Sequence, residues 1–557
     1  MRLVSSSGRL SKTERKDLGA FYTPAELTDF ATSWAIQDAS TTVLDPGCGD
    51  AAFLVSAARR LEDLGTERGA LSRQVRGIDL NPDALETARA VLKGAGLERP
   101  VLLSGNFFNT EPGQEALSPV DAVIGNPPYV RYQLFRDDNR AAGLKAAARA
   151  GVILPQLTSS WAPFVVHASS FLKPGGRMAL VLPGELLHVG YAAAVRDFLL
   201  RQFAGLTLIS FEEKVFPGAL EEVLLVLGTK GEGDGKLRVL RLNSLRDLQR
   251  GPEVLLAESR ASEVKPGQRW LTTLLEQESV ASALEIIKQA DFRPLGELGR
   301  VDIGVVTGAN DFFVLSRAEV QFHGLPDTVL IPAVSKASHI QGARFTRRDW
   351  EIMGMNGDPV YLLLVPDSHA LTDKAVANYI ANGEHQGLSK RYKCRTRQPW
   401  YRVPYVRKPN LFLTYMSHVA PRLVVNELMA TNTNTLHGIL LHDSMLAEPL
   451  AAAFLNSATL LSVELEGRSY GGGVLKLEPG EAVRVLVPRL TSKLIEKLRP
   501  ELPRIDQAVR DGRIEEASKK VDDIIFGKRF LRGGKYQQLC SILATLRSRR
   551  FTRGKTS

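Results

Sequence analysis

The sequence predicts an α/β fold: a doubly wound, seven-stranded, mostly parallel sheet, then a mixed β-rich region and a helical tail. Three observations predict it. Through residue 230, short β-branched runs alternate with amphipathic helix-length stretches, the pattern of βα units. From residue 291 to 490 the apolar runs are short and strand-like, as in "VDIGVVTG", "PVYLLLVP" and "PRLVVNE". From residue 491 the periodicity is helical, as in "SKLIEKLRPELPRIDQAVRD".

In chain order, strands are expected at 42–45, 75–79, 101–103, 121–124, 177–182, 206–211 and 223–227. Helices are expected at 52–64, 82–92 and 160–172. The last two strands are joined by "EEKVFPGALEE" with little helical sequence, which predicts a closing antiparallel hairpin on a parallel sheet. The polar run "KGEGDGK" reads as a boundary near residue 235. The expected organisation is 1–235, a connecting segment 236–290, a second domain 291–490 and a basic helical tail 491–557.

The net charge of +10 is unevenly placed. Residues 1–230 hold 24 Lys and Arg against 25 Asp and Glu, and the remainder carries a net +11. A neutral front half followed by a basic back half favours a polyanionic partner, against the alternative of an ordinary solvated surface. No apolar run reaches membrane-span length, and the N-terminus lacks the apolar stretch of a secretory signal. Three scattered cysteines suit a reducing cytoplasm and offer no disulfide or zinc framework, so no metal is expected.

The segment "VLDPGCGD" is a strand ending in Asp45 and a turn carrying Gly47 and Gly49. Such a turn lets backbone approach a ligand at a helix N-terminus. The next strand ends in Asp79, in "GIDLNP", where a carboxylate can accept from both hydroxyls of a ribose. Neither the dinucleotide glycine fingerprint nor a phosphate-binding P-loop is present. The spacing suits S-adenosylmethionine. In "SGNFFN", Asn106 is placed to accept from the cofactor's adenine amine, and Phe107 either stacks on that ring or packs in the core.

A fourth strand stops abruptly at "GNPPY". Two prolines continue neither a ladder nor a helix, so the turn is rigid. The exocyclic amine of adenine is a weak nucleophile because its lone pair is delocalised into the ring. Two acceptors on its N–H bonds, the Asn126 side-chain oxygen and the Pro127 carbonyl, localise that lone pair. This is pre-organised electrostatic catalysis. Tyr129 offers a flat face to the base.

The ordered set "GAFYTP", "DPGCGDAAFL", "GIDLNP", "SGNFF", "GNPPY", "FLKPGGRMALVLP" and "VFPGALEE" resembles the gamma-type, TaqI-like adenine-N6 DNA methyltransferases of restriction–modification systems. The resemblance is strong over residues 15–230 and loose beyond. It implies a class I methyltransferase sheet in a catalytic domain, double-stranded DNA as substrate and a target adenine flipped from the duplex. It also implies a target-recognition domain at 291–490. By motif it assigns Thr23 to the methionine part of the cofactor, and Tyr129 with Phe216 to a sandwich around the flipped base. Two departures stand out: Ala51 where the family often has Gly, and Asn106 where it often has Asp. A separate restriction endonuclease is the implied partner, and a monomer is expected.

In the back half, "SKRYKCRTRQPWYRVP" sets Lys390, Arg391, Lys393, Arg395 and Arg397 beside Trp400 and Tyr401. Cations interleaved with aromatics fit nucleic-acid contact, with a solvated basic loop as the alternative. Residues near "VVTGAND" and "RSYGGG" are expected to read bases, and the basic end "ATLRSRRFTRGKTS" to touch phosphates or lie disordered. The run "DGRIEEASKK" reads as an exposed helix with i,i+4 pairs, so no cleavage domain is expected. Two other functions compete. One is a methyltransferase acting on RNA or a protein glutamine, which usually lacks the basic domain. The other is a non-catalytic DNA-binding subunit of a defence complex, against which the intact "NPPY" argues.

Overall fold

A computed structural model of the chain describes residues 23–114, 117–216, 222–275, 277–365, 372–470 and 473–554. They form two compact units that divide between Leu275 and Glu276.

The first unit is built on one nine-stranded sheet. Its strands are β1 (Val43–Asp45), β2 (Val75–Asp79), β3 (Val101–Ser104), β4 (Val120–Gly125), β5 (Leu172–Pro183), β6 (Phe203–Phe211), β7 (Val223–Lys230), β8 (Lys236–Leu242) and β9 (Arg260–Glu263). The order is 3-2-1-4-5-7-6-8-9. Neighbours from β3 to β5 run parallel, and β7 lies antiparallel between β5 and β6. Met178, Ala179, Leu180, Val181 and Leu182 of β5 are all fully buried, as expected of a strand covered on both faces. The chain winds outward from β1 to β3, then returns to lay β4 on β1's other side. That reversal is the topological switch where doubly wound sheets open a crevice at the strands' carboxyl ends.

The seven expected strands are present in this class I methyltransferase order, and two more extend the sheet. The polar run before residue 236 is a turn, with Gly235 at φ +68°. It feeds β8, which pairs parallel to β6, and β9 closes the edge. Within β8, Lys236 and Arg241 are exposed while Leu237, Val239, Leu240 and Leu242 are buried. Its charges disguise a half-buried strand. Trp270, fully buried, donates its backbone N–H to the Leu187 carbonyl at 2.7 Å. The residues from 236 to 275 therefore belong to the first unit and are not a connector.

The second unit combines several small sheets with helices. Its largest sheet has five strands, with Gly299–Ile303 at one edge beside His437–Leu441. A four-stranded sheet includes Leu330–Val334 and Tyr361–Leu363. The expected tail is helical, but it is not an appendage. Helices Ser492–Leu498, Leu502–Arg510 and Ile514–Phe526 bury Leu498, Leu502, Ile505, Val509 and Val521 against Leu450 and Phe454. At its end Arg550 is 3% exposed and pairs with buried Glu464 at 2.7 Å, so this arginine is structural and not a phosphate contact. Gly471 and Gly472 lie outside the described residues, as do 1–22 and 217–221. Among the described residues no single helix is long and apolar enough to cross a membrane.

Candidate active site

The two turns expected to carry chemistry sit at the carboxyl ends of adjacent strands. β1 and β4 pair in parallel, Val43 opposite Ala122 and Leu44 opposite Val123. β1 ends at Asp45, which is buried, and the Gly47 N–H donates to its Oδ1 at 3.2 Å. β4 ends at Gly125, with φ +149°, directly before Asn126. A Cβ on Gly125 would lie 2.5 Å from Asp45 Oδ1. Glycine is what allows carboxyl and catalytic turn to share that space. Burial pushes the Asp45 carboxyl up to about 8, nearby Asp79 and Asp50 add to the shift, and the Gly47 bond opposes it. The group is largely protonated at neutral pH.

Asp79 ends β2. Its Oδ2 accepts from Gly49 N–H at 2.9 Å and its Oδ1 from Asn81 N–H at 2.8 Å. Each carboxylate oxygen has about two acceptor sites, so one remains on each, the requirement for holding a vicinal diol. Gly49, at φ +51°, would have nothing within 4 Å of an added Cβ, so the space above the turn is open. Ala51 takes φ +72°, a left-handed conformation. Glycine adopts that conformation without cost. The alanine carries strain of roughly 1–2 kcal/mol.

Asn106 caps the short turn Phe107–Asn109 by accepting the Phe108 N–H at 3.0 Å, and its Nδ2 donates to Asn139 Oδ1 at 2.8 Å. The Phe107 ring is buried, 4.5 Å from His167, 4.9 Å from Phe164 and 5.2 Å from Phe171 between centroids. The ring packs in this aromatic cluster. Leu80, 58% exposed, offers apolar surface beside Asp79. Burial lowers His167 to about 4, opposed by its bond to the Phe107 carbonyl at 3.1 Å.

In the turn itself, Asn126 Oδ1 accepts the Tyr129 hydroxyl at 2.6 Å, with the Val181 carbonyl 2.8 Å from the same hydroxyl. Asn126 Nδ2 faces Thr23 Oγ1 at 3.4 Å. Tyr129 is thus not an open face: its ring is buried and its hydroxyl caps the acceptor. The hydroxyl carries one proton, which lies between the Asn126 oxygen and the Val181 carbonyl. The Pro127 carbonyl accepts no hydrogen bond among the described residues. Phe216 is buried in the first unit's core.

Sequence reasoning missed what holds the turn. Ser160 donates through Oγ to the Pro128 carbonyl and accepts there from Val130 N–H at 2.9 Å. Its own N–H donates to the Val130 carbonyl at 3.0 Å. The next residue, fully buried Trp161, donates Nε1 to Glu185 Oε2 at 3.0 Å, and the Tyr191 hydroxyl reaches the same oxygen at 2.5 Å. The Pro128 and Val130 carbonyls are occupied while Pro127's stays available. "TSSW" looks like a plain helix start and gives no signal of this. The Gly in "IGNPPY" was a signal, since a glycine closing a buried strand marks a close approach.

In the second unit Lys390, Arg391, Lys393 and Arg395 are exposed and form no ion pair among the described residues. Lys393 and Arg395 flank exposed Tyr392, 5.5 and 5.4 Å from its ring centre. Two neighbours differ from expectation. Arg397 donates to the Thr307 and Val306 carbonyls, each at 2.7 Å, which ties the loop down. Trp400 is buried against Phe312 and Phe313, with Nε1 bonded to Glu384 at 2.9 Å. A large ring beside an apolar cluster goes inside. Tyr401 is half-buried, edge-on to Trp400. No group of metal-ligating side chains occurs among the described residues.

A class I methyltransferase sheet with an Asn-Pro-Pro-Tyr turn at its switch point defines a methyltransferase acting on amine or amide nitrogen. Residues 8–263 match the N-6 DNA Methylase family, and residues 267–526 match the C-terminal domain of the Type II methyltransferase M.Eco57I. The chain belongs to the N6-adenine DNA methyltransferases. It is 28% identical over 498 residues to the Type II methyltransferase M.XamI of Xanthomonas campestris pv. amaranthicola, covering 85% of each chain. It is 24% identical over 497 residues to M.AccI of Acinetobacter calcoaceticus, covering 85% of this chain and 86% of that one. The fold resembles that of the Type IIL restriction–modification enzyme MmeI, solved in complex with DNA. There the TM-score is 0.61 at 13% identity, over 96% of this chain and 80% of that one.

Proposed function

We propose that this methyltransferase is the modification enzyme of a restriction–modification system, acting site-specifically on an adenine flipped out of duplex DNA. The observation that carries the reading is the contact of Gly125 with Asp45, which seats the amine-binding turn against the cofactor turn. The cofactor is S-adenosylmethionine, whose sulfonium supplies an already activated methyl group. Asp79 holds the ribose with its two remaining acceptor sites, and Leu80 with Asn106 bounds the adenine. Gly47 and Gly49 keep the floor free of side chains, and Thr23 lies at the methionine end beside Asn126.

Asn126 Oδ1 keeps a second acceptor site beside its bond from the Tyr129 hydroxyl. Asn126 Oδ1 and the Pro127 carbonyl then take the two N–H bonds of the amine. The Tyr129 ring and Phe216 enclose the base. Lys390, Arg391, Lys393 and Arg395 hold phosphates, with Tyr392 between them as a stacking face, while the rest of the second unit reads sequence. A separate endonuclease shares the recognised site, and the enzyme acts as a monomer.

The test is incubation with labelled S-adenosylmethionine and mixed duplex DNAs, followed by mapping of the modified base, with RNA and protein arms alongside. N6-methyladenine at one recurring DNA sequence is expected. Label in RNA or protein and none in DNA would overturn the reading.

A further inference from the structure

Between the catalytic turn and Ser160, the chain makes an excursion that the reaction described above does not use. It runs through helix Asp137–Arg149 and returns along 151–159 to the Ser160 clamp. Two large apolar side chains stand out of the return leg: Ile153, 77% exposed, and Leu157, 63% exposed. Single exposed apolar residues are ordinary on a protein surface. This pair differs in being held out by a stiff frame. Gly151 at φ +80° turns the chain, and Val152 N–H bonds the Ala147 carbonyl at 3.0 Å. Val152 and Leu154 are buried on either side of Ile153. Thr158, fully buried, donates to the Pro155 carbonyl at 2.6 Å and closes the turn around Leu157.

The location is as specific as the stiffness. Leu157 is three residues from Ser160, so its Cα lies within about 11 Å of the residue bonded to the catalytic turn. The charge is local too. Residues 131–149 carry five Lys and Arg against two Asp, although residues 1–230 as a whole are neutral. Exposed Arg136 and Lys145 are among them. A basic segment bearing rigid apolar tips at the mouth of a base-accepting pocket fits one partner: the duplex at the base step that the adenine leaves.

We infer that Ile153 and Leu157 pack into the DNA stack beside the extruded adenine and hold the opened step. Apolar side chains inserted between bases are a general means of keeping a duplex deformed. Rigid tips lose little freedom on binding. The inference rests on the site's reading as a base-flipping methyltransferase.

The double variant Ile153→Ser/Leu157→Ser alters exposed side chains only. Its single-turnover rate should be measured on the duplex site mapped with the wild-type enzyme, and on the same duplex with the target adenine opposite an abasic position. A rate about tenfold or more below wild type is expected on the paired duplex, with recovery on the abasic one, because an unpaired base is cheaper to extrude. 2-Aminopurine at the target position should brighten less with the variant than with wild type. An unchanged rate on the paired duplex, or equal loss on both duplexes, overturns the inference. Failure of the wild-type enzyme to methylate any duplex would overturn the underlying reading of the site, and the stacking role with it.

Discussion

The two units both carry polar and aromatic motif residues, yet they treat them differently. In the first, the acids and the catalytic turn lie at strands' carboxyl ends: Asp45 on β1, Asp79 on β2, Gly125 on β4. A parallel sheet gathers such ends along one crevice, so sequence order maps directly onto a site. In the second, a single basic aromatic segment divides itself. Lys390, Arg391, Lys393 and Arg395 face water, while Arg397 and Trp400 turn inward to tie down a loop and fill a core. In a unit built from several small sheets, neither charge nor aromaticity says which way a side chain goes.

The largest expected effects test the first half of that contrast. Asn126→Ala should slow methyl transfer about 100- to 1000-fold, the usual cost of removing one pre-organised partner of developing charge. S-adenosylmethionine binding, followed by calorimetry, should be little changed. Gly125→Ala should lose both, because its Cβ meets Asp45 Oδ1 at 2.5 Å and displaces both turns. An Asn126 variant with near-normal turnover would refute the amine-acceptor role.

Much of this site was legible because strand-end glycines, acids and "NPPY" have geometric meaning in a βα unit. What held the turn was not. Ser160 lies 32 residues from the carbonyl it grips, and only the packing of Trp161 on Glu185 brings it there. The eighth and ninth strands were hidden for a similar reason: the lysine and arginines of β8 interrupt its apolar run until its partner is known. Ser160→Ala tests the hidden part. It should lower kcat about 10- to 100-fold, since small misplacements of reacting groups carry losses of that order. KM for S-adenosylmethionine should barely move, and Ser160→Thr should restore part of the rate. An equal fall in cofactor affinity would make the serine merely structural.

A smaller effect sharpens the division inside the second unit. Replacing Lys390, Arg391, Lys393 and Arg395 together by Ala should weaken binding to all DNAs alike. The slope of log affinity against log salt should flatten by roughly 0.9 for each phosphate that is no longer neutralised. Arg397→Ala should leave that slope alone and lower thermal stability instead, by about 1–3 kcal/mol, because two carbonyls lose a charged donor. If Arg397→Ala flattens the salt slope as the surface variants do, the inward and outward residues are not distinct in function.

The smallest expected effect lies beneath the cofactor crevice, where two buried groups push stability in opposite directions with pH. His167 is held near 4 in the folded chain against an ordinary 6.5. The unfolded state therefore binds more protons, so its contribution is intact above pH 6.5 and is lost as pH falls toward 4. Asp45 is held near 8 against an ordinary 3.8. Here the folded state binds more protons, and the contribution is intact below about pH 4 and lost as pH rises toward 8. Between pH 5.5 and 6.5 these two contributions oppose each other in the wild-type enzyme. Removing either group should unmask the other. His167→Gln, which can still donate to the Phe107 carbonyl, should gain stability relative to wild type by about 1 kcal/mol as pH is lowered from 6.5 to 5.5. Asp45→Asn should show the opposite trend relative to wild type over the same interval. Urea titrations at the two pH values measure both differences. A His167→Gln profile parallel to wild type would mean that the imidazole is not held neutral, and that Phe107 owes its place in the core to packing alone.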